Sequence, residues 1–242
     1  MALTILFTGT VPKHSDAPAD NEDAFRIEAA LGRIALSDGA SESFDAKNWA
    51  QLIVANVMSA ALTNDLIIAC AGAYEQLHDP ALLTWSKAAA YERGSFATLL
   101  LAQDKADLNS VEITSVGDSL AVWGNEKGFI ETLPYKSSRE FDEKPTLLAT
   151  RLVMNPSLEN AENNFCQSTT WSYEGLDRCY LLCMTDALGH WLLSRQEMGD
   201  FEAYTKLRTM SELDSFQRLV ESEREAGNLR RDDTTLVLAL LT

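Results

Sequence analysis

The chain has 242 residues, of which 36 are acidic and 20 are basic, so its formal net charge is −16. Apolar residues make up 46% of the chain and charged residues 23%, an ordinary globular composition that excludes disordered, collagen-like and coiled-coil classes. Because this charge repels phosphate backbones and anionic lipid surfaces, we expect no nucleic acid and no membrane among the partners.

The cysteines and the first residues of the chain indicate a reducing compartment. The four cysteines form no CxxC pair, and no zinc-type spacing of cysteine and histidine is present. The first ten residues, MALTILFTGT, lack the basic start of a signal peptide. No apolar run approaches the roughly 20 residues of a membrane span. We therefore expect a cytoplasmic protein that acts as a monomer.

The N-terminal half begins with a predicted β-hairpin and continues with helices. Residues 25–37 predict two short strands around Gly32, and this hairpin ends at Asp38. Apolar residues at helical spacing predict an amphipathic helix over 46–62, a second helix over 65–77 and a third before Gly94. After that glycine the pattern is typical of strands, in SFATLLLAQ, VEITSVGDS and LAVWGNEKGFIETL.

The C-terminal half contains a long irregular segment followed by strands and a helix. Residues 135–165 are polar and contain proline, which predicts a loop with little regular structure. Strands return in NFCQSTTWSYE, RCYLLCMTD and the final TTLVLALLT. The sequence SELD at 211–214 predicts a capping box at the start of a helix that ends at Gly227. With strands and pairs of helices but no linker, we expect a single domain of α+β class over residues 1–242.

Acidic residues stand at the ends of several predicted strands. They are Glu22, Asp23, Asp38, Asp118, Asp186, Asp232 and Asp233. Aspartates at strand ends can meet at one edge of a sheet, where several anionic groups are tolerated only around a cation. Ligands that are all oxygen suit magnesium, manganese or calcium rather than zinc. The alternative is that each aspartate occupies a turn or a helix cap, positions that this residue favours.

Six motifs in this chain carry a resemblance to a known family. They are NEDAF, ALSDGAS, GSFATLLLA, SVGDSLAVW, LCMTDALGHW and RDDTTLVLAL. In this order and at this spacing they resemble the successive motifs of the PPM-type (protein phosphatase 2C-like) metal-dependent serine/threonine phosphatases, above all the bacterial branch. The resemblance spans nearly the whole chain. It implies an α-β-β-α sandwich, in which two antiparallel β-sheets are flanked by helices, with a two-metal site at one end.

The resemblance also implies which residues hold the metal ions. Asp38 would bridge both ions, and the carbonyl of Gly39 would ligate one of them. Asp186 and Asp232 would hold the other ion, and Asp118 matches a residue that serves a third, more weakly held ion. The implied cofactors are therefore two ions of Mn²⁺ or Mg²⁺, with a third as a further option.

The implied reaction is direct hydrolysis of phosphoserine and phosphothreonine in a phosphoprotein substrate by attack of a water that bridges the metals. Asp38 and Glu22 are the catalytic candidates, and Glu22 would also act as a metal ligand through water. Asp23 and Asp233 would support the ligands from behind, and Asp233 stands where many relatives have asparagine. The chain contains no CxxxxxR loop of the thiol phosphatases and no GxxxxGK[ST] or GxGxxG motif.

Two positions depart from the family pattern. Relatives carry an arginine a few residues before the NED motif that contacts the substrate phosphate, whereas this chain has Pro18, which has no N–H to donate. Lys13 is the candidate that replaces it in substrate binding, and the alternative is a solvated loop lysine. His190 stands where many relatives have a further aspartate for the third metal, and we interpret it as a loop histidine with satisfied hydrogen bonds.

Three functions stay open at this point. The first is an active Mg²⁺- or Mn²⁺-dependent serine/threonine protein phosphatase. The second is a catalytically weak or inactive PPM-like module that regulates or binds, and the presence of Asp38, Asp186 and Asp232 argues against it. The third is a structural domain stabilised by calcium or magnesium. Ligands that act through water, as implied for Glu22, leave coordination positions open to substrate and argue against a purely structural ion.

Overall fold

The computed structural model describes residues 3–158 and 164–242, so residues 159–163 of the predicted irregular segment lie outside the described residues. The strands are, in chain order, β1 (Leu3–Val11), β2 (Ala24–Glu28), β3 (Arg33–Ser37), β4 (Phe96–Ala97), β5 (Leu99–Lys105), β6 (Ser110–Val116), β7 (Leu120–Asn125), β8 (Gly128–Leu133), β9 (Leu148–Ala149), β10 (Gln167–Ser172), β11 (Cys179–Met184) and β12 (Thr234–Leu241). The α-helices are α1 (Ala46–Asn56), α2 (Asn64–Glu75), α3 (Trp85–Arg93), α4 (Asp186–Glu197), α5 (Glu202–Arg208) and α6 (Leu213–Glu225).

Two five-stranded antiparallel sheets form the centre of the protein. The strand order is β1-β12-β11-β7-β8 in the first sheet and β10-β6-β5-β3-β2 in the second. Side chains of both sheets, among them Ile113, Leu181 and Val237, form one apolar core between them. The outer face of the first sheet packs on α4, α5 and α6, and that of the second packs on α1 and α2. The predicted α-β-β-α sandwich of α+β class is therefore confirmed.

Strand β11 shows why the sequence folds into these layers. All six of its residues are buried, because Leu182 and Met184 face the helices whereas Leu181 and Cys183 face the second sheet. A strand that is buried on both faces has a continuous apolar sequence, here CYLLCM, rather than an alternating one. Cys179 also lies in the core between the sheets, so Cys179 and Cys183 lie on the same face of β11.

Two predicted helix boundaries are wrong. The helix predicted over 46–62 ends at Asn56, and the guanidinium of Arg33 donates hydrogen bonds to the carbonyl oxygens of Val57, Met58 and Ala60 that follow it. The predicted capping box at 211–214 is absent, since the N-cap of α6 is Glu212 and no side chain caps this helix.

A capping box does occur at a position that the sequence analysis did not mark. Ser137 and Glu140 form it at the start of a short 3₁₀ helix, Ser138–Asp142, within the predicted irregular segment. The predicted end of α6 is confirmed, because Gly227 adopts a φ of +73° directly after the C-cap. None of the helices in the described ranges is long and apolar enough to cross a membrane.

Candidate metal centre

The acidic strand ends converge where the two sheets meet. A pocket of about 160 Å³ is lined by Asp38, Gly39, Asp118, Asp186 and Asp232. Asp38 follows β3 of the second sheet, whereas the other three aspartates flank β7, β11 and β12 of the first sheet. We call this the carboxylate pocket. It contains every residue predicted as a metal ligand except Glu22.

Burial and mutual repulsion disfavour ionisation of these carboxyl groups. Burial raises the pKa of Asp38 well above its usual value, and the charges of Asp23, Asp186, Asp118 and Asp232 raise it further. Burial and the charge of Asp186 raise the pKa of Asp118 to about 7. Burial and the charge of Asp232 also raise the pKa of Asp186. Four such groups in one pocket favour either bound protons or a bound cation.

The donor set fits a hard divalent cation. The side chains that line the pocket include no histidine or cysteine, and their carboxylate oxygens are the ligands that Mg²⁺ and Mn²⁺ prefer. Within residues 3–158 and 164–242, no group of three or more histidine, cysteine, aspartate or glutamate side chains already has the geometry to hold a metal ion. The fit therefore rests on ligand chemistry and on the repulsion that a cation would relieve.

Thr98 holds the Asp38-Gly39 turn in place. The Asp38 N–H donates to Thr98 Oγ1 over 2.8 Å, and the Thr98 N–H donates to the Asp38 carbonyl oxygen over 2.8 Å. The Thr98 hydroxyl also bonds to Ser119 Oγ over 2.7 Å. A Cβ on Gly39 would lie 2.9 Å from Ala46 Cβ, so a glycine is required where the turn passes the start of α1. Thr98 was not predicted as a site residue, although its motif GSFATLLLA was among the six.

Asp23 is partly buried, and its carboxyl group interacts electrostatically with Asp38 of the carboxylate pocket. Its Oδ2 accepts hydrogen bonds from Thr235 Oγ1 over 2.7 Å and from Thr185 Oγ1 over 3.2 Å. Its Oδ1 has no hydrogen-bond partner in the part of the chain that the structure describes. Burial raises its pKa well above the usual value, and the charges of Asp233 and Asp186 raise it further. Asp23 thus joins the start of β2 to the ends of β11 and β12.

Glu22 lies beside the carboxylate pocket and is paired with Lys13. Lys13 Nζ donates to Glu22 Oε2 over 2.9 Å and to Ser41 Oγ over 2.6 Å, and Ser41 lines the pocket. Burial opposes the charged form of Lys13, but the hydrogen bond and charge of Glu22 outweigh it, so the pKa of Lys13 is raised. The structure therefore places the predicted substrate-binding ammonium at the rim of the pocket.

Asp233 fixes the two main-chain segments that carry Lys13 and Glu22. Its Oδ1 accepts from the Lys13 N–H over 2.7 Å, and its Oδ2 accepts from the Glu22 N–H over 2.8 Å. Asp233 is only 3% exposed, so water does not replace these bonds. Each of the two N–H groups is paired with its own carboxylate oxygen. An aspartate supplies both, whereas an asparagine supplies one.

We expect Asp233→Asn to destabilise the protein in the absence of metal. One buried N–H would face an amide NH₂ instead of an oxygen, which lowers the free energy of unfolding by about 1–3 kcal/mol. Urea unfolding in a chelator measures this change. Asp232→Asn is the matched control, because it removes a neighbouring charge without touching the N–H groups of Lys13 and Glu22, and it is expected to be neutral or stabilising. Equal stability of the two variants would contradict the bridging role.

Arg224 of α6 clamps the same region from the other side. Its guanidinium donates to the carbonyl oxygen of Pro12 over 2.9 Å, to Thr234 Oγ1 over 3.0 Å and to the carbonyl oxygen of Asp232. The segment after β1 and the segment before β12 are thereby tied to one helix. Arg224 could not be predicted as a site residue, since nothing in the sequence distinguishes it from the other charged residues on this amphipathic helix.

His190 does not belong to the carboxylate pocket. It lies inside α4 rather than in a loop, and its Nδ1 has no hydrogen-bond partner within the described ranges, so the interpretation as a satisfied loop histidine is wrong. The ring packs edge-on against Phe141 at 5.9 Å, and burial together with Arg230 lowers its pKa. His190 therefore gives no support to a third metal ion.

Comparisons with known proteins identify the fold. No family model matches the sequence, and no curated protein matches it. Solved structures do match, among them the serine/threonine phosphatase Stp1 from Staphylococcus aureus, with a TM-score of 0.64, 16% identity and coverage of 99% of this chain and 96% of that chain. The catalytic domain of the serine/threonine phosphatase PstP, in complex with two manganese ions, has a TM-score of 0.62 at 16% identity over 99% of this chain and 100% of that chain.

A third solved structure that matches is the photosystem II phosphatase PBCP. It has a TM-score of 0.60 at 15% identity, with 99% of both chains covered. At these identities the likeness shows the fold alone. The chain thus has the fold of these phosphatases over nearly its whole length, which confirms at the level of fold the resemblance carried by the six motifs.

Proposed function

We propose that this protein is a Mg²⁺- or Mn²⁺-dependent phosphatase that hydrolyses phosphoserine and phosphothreonine in proteins. The observation that carries the proposal is the carboxylate pocket, in which Asp38, Asp118, Asp186 and Asp232 meet at the junction of the two sheets. The solved phosphatases of the same fold support it, as do the two manganese ions in the PstP complex.

In the proposed site, Asp38, the Gly39 carbonyl, Asp186 and Asp232 would hold two divalent ions, and Asp118 would be available to a third. When bound, such ions neutralise the charge of a phosphomonoester and acidify a water for in-line attack. The protein's own groups orient and support this arrangement. Thr98 fixes the Asp38 turn, and hydroxyl groups fix Asp23.

Glu22 and Lys13 complete the proposed site on one side of the pocket. Glu22 is the second catalytic candidate, and its carboxylate is held by the Lys13 ammonium. Lys13 also contacts Ser41, a residue of the pocket lining, so that its charge lies at the edge of the pocket. This arrangement supports Lys13 as the cation that replaces the family's upstream arginine.

We expect Lys13→Ala to raise KM and to leave kcat nearly unchanged, because the ammonium contacts phosphate equally in the ground state and in the transition state. A lost charged hydrogen bond in a partly wet site corresponds to roughly 1–2 kcal/mol, or about a 5- to 30-fold loss in kcat/KM. Steady-state kinetics on a phosphothreonine peptide measure it. Lys13→Arg is expected to recover part of the loss, and Lys206→Ala serves as the distant control. An unaltered KM would assign phosphate binding to the metals alone.

The cysteines lie outside the proposed chemistry. None of the four lines the carboxylate pocket, and burial raises the pKa of Cys70 to about 11 and that of Cys183 to about 12. A side-chain thiolate is therefore not available as a nucleophile at neutral pH.

We further propose a phosphoprotein substrate and a monomer in the cytoplasm, and the net charge of −16 supports the exclusion of nucleic acid and anionic membranes.

One assay separates the proposed enzyme from a binding module of the same fold. Purified protein is tested for metal-dependent turnover of p-nitrophenyl phosphate and of a phosphothreonine peptide. Hydrolysis of both substrates that depends on Mn²⁺ or Mg²⁺ supports the enzyme. Metal binding without turnover of either substrate would favour a regulatory or structural role instead.

A further inference from the structure

A second pocket, of about 210 Å³, adjoins the carboxylate pocket. Pro145 lines both pockets, and Gly117 in the second pocket directly precedes Asp118 in the first. Gly117 has a φ of +90°, and a Cβ there would lie 2.8 Å from the side chain of Thr98, so a glycine is required at this junction. A residue bound with its phosphate at the carboxylate pocket would therefore have a neighbour beside the second pocket.

Ser115 places an unpaired hydroxyl in the wall of this second pocket. Ser115 lies on the same face of β6 as Val111 and Ile113, which are in the core between the sheets. Its exposed fraction is only 1%. Its Oγ has no hydrogen-bond partner in residues 3–158 and 164–242. Buried hydroxyl groups are nearly always paired, so a ligand group that pairs with this one gains an interaction that the fold itself leaves unmade.

Among the described residues, the rest of the wall is mostly polar and carries no net formal charge. Gln167 of β10 lies opposite Ser115 in the ladder and lines the pocket. Burial raises the pKa of Tyr135 to about 12, so its hydroxyl stays protonated at neutral pH. Lys144 and Glu143 contribute one charge of each sign, and neither forms an ion pair with another described residue.

We propose that the second pocket binds a neutral, hydrogen-bonding side chain of the substrate, close in sequence to the phosphorylated residue. The proposal rests on the phosphatase function proposed above and adds a substrate preference to it. An amide or hydroxyl side chain pairs with the Ser115 hydroxyl and with Gln167. An aliphatic side chain of the same size leaves them unpaired, and a charged side chain gains no net attraction because the charges of Lys144 and Glu143 cancel.

The test compares phosphothreonine peptides that differ at the positions flanking the phosphothreonine. Glutamine and leucine variants at each of the two positions on either side are hydrolysed by the wild-type protein and by Ser115→Ala. At one of these positions we expect kcat/KM to be about 10-fold higher for glutamine than for leucine in the wild type, and about 2-fold or less in Ser115→Ala. Ser168→Ala, on the opposite face of β10, is the matched control and keeps the wild-type ratio.

Two further readouts make the result decisive. Ser115→Ala removes a hydroxyl without a partner, so its Tm is not expected to fall, whereas a structural role would lower the Tm and leave the peptide ratio unchanged. An equal rate for both peptides in the wild type, or a ratio that Ser115→Ala leaves unchanged, would overturn the subsite while metal-dependent hydrolysis of p-nitrophenyl phosphate still upheld the proposed function. Absence of all hydrolysis would overturn both.

Discussion

Asp38→Asn is expected to lower the turnover of a phosphothreonine peptide by about 100-fold or more at saturating Mn²⁺. A loss of this size is expected because the substitution removes charge stabilisation that the metal ions supply. Asp38 is the one aspartate of the carboxylate pocket that comes from the second sheet, and its carboxyl group interacts with the other three. Steady-state kinetics across a metal titration measure the loss. Asp177→Asn, at an exposed position between β10 and β11, is the control.

The same substitution is expected to stabilise the metal-free protein. Carboxyl groups whose pKa is raised by folding contribute stability at low pH and lose it as the pH rises through the folded-state pKa, which for Asp118 is about 7. Asp38→Asn removes one of the repelling charges, so its gain in the free energy of unfolding should be larger near pH 8 than near pH 5. Turnover close to wild type at saturating metal would exclude Asp38 from the site.

Removal of divalent cations is expected to abolish turnover, and added Mn²⁺ or Mg²⁺ is expected to restore it, because ions held by oxygen ligands alone exchange with solvent. An ion that binds only the folded protein also stabilises it, by about 2.7 kcal/mol at a concentration 100 times its Kd. Thermal unfolding with and without metal therefore gives a readout besides activity.

Two controls locate the effect of the metal. In Asp38→Asn the rise in Tm with added ion should be much smaller than in the wild type. Alkylation of the folded protein should leave turnover largely intact, because the four cysteines lie outside the carboxylate pocket. Full activity in the presence of a chelator, combined with inactivation by alkylation, would contradict the proposed chemistry.

The sequence predicts those elements whose pattern is local. The hairpin of β2 and β3, the helices α1 and α2 and the apolar β11 all follow from spacing within a short window. Helix α4 was missed because six of its residues, from Ala187 to Leu193, are buried, and a helix that is apolar around most of its circumference shows no amphipathic period. Strand β1 was also missed, and the structure pairs it with β12 at the other end of the chain.

The residues of the candidate site also differ in whether a local sequence pattern marks them. The aspartates of the carboxylate pocket could be found because chain order and strand ends mark them. The roles of Arg224, Thr98 and Ser115 could not, since each depends on which distant backbone or side-chain atoms surround it. Asp233 accepts hydrogen bonds from two main-chain N–H groups, which explains why an aspartate suits this position. Only the distances from its two oxygens to the nitrogens of Lys13 and Glu22 reveal this role.

The carboxylate pocket takes aspartates from both sheets, so the proposed catalysis affects how well the fold tolerates mutations. Repulsion among its aspartates acts to separate strand ends that the apolar core between the sheets, including Leu181 and Val237, holds together. Keeping such a cluster exchanges stability for chemistry. On the proposed function, a bound ion reverses this repulsion, so the same substitution in the core is tolerated better by the loaded protein than by the metal-free one. The supply of divalent cation then sets how much sequence variation the sandwich can absorb.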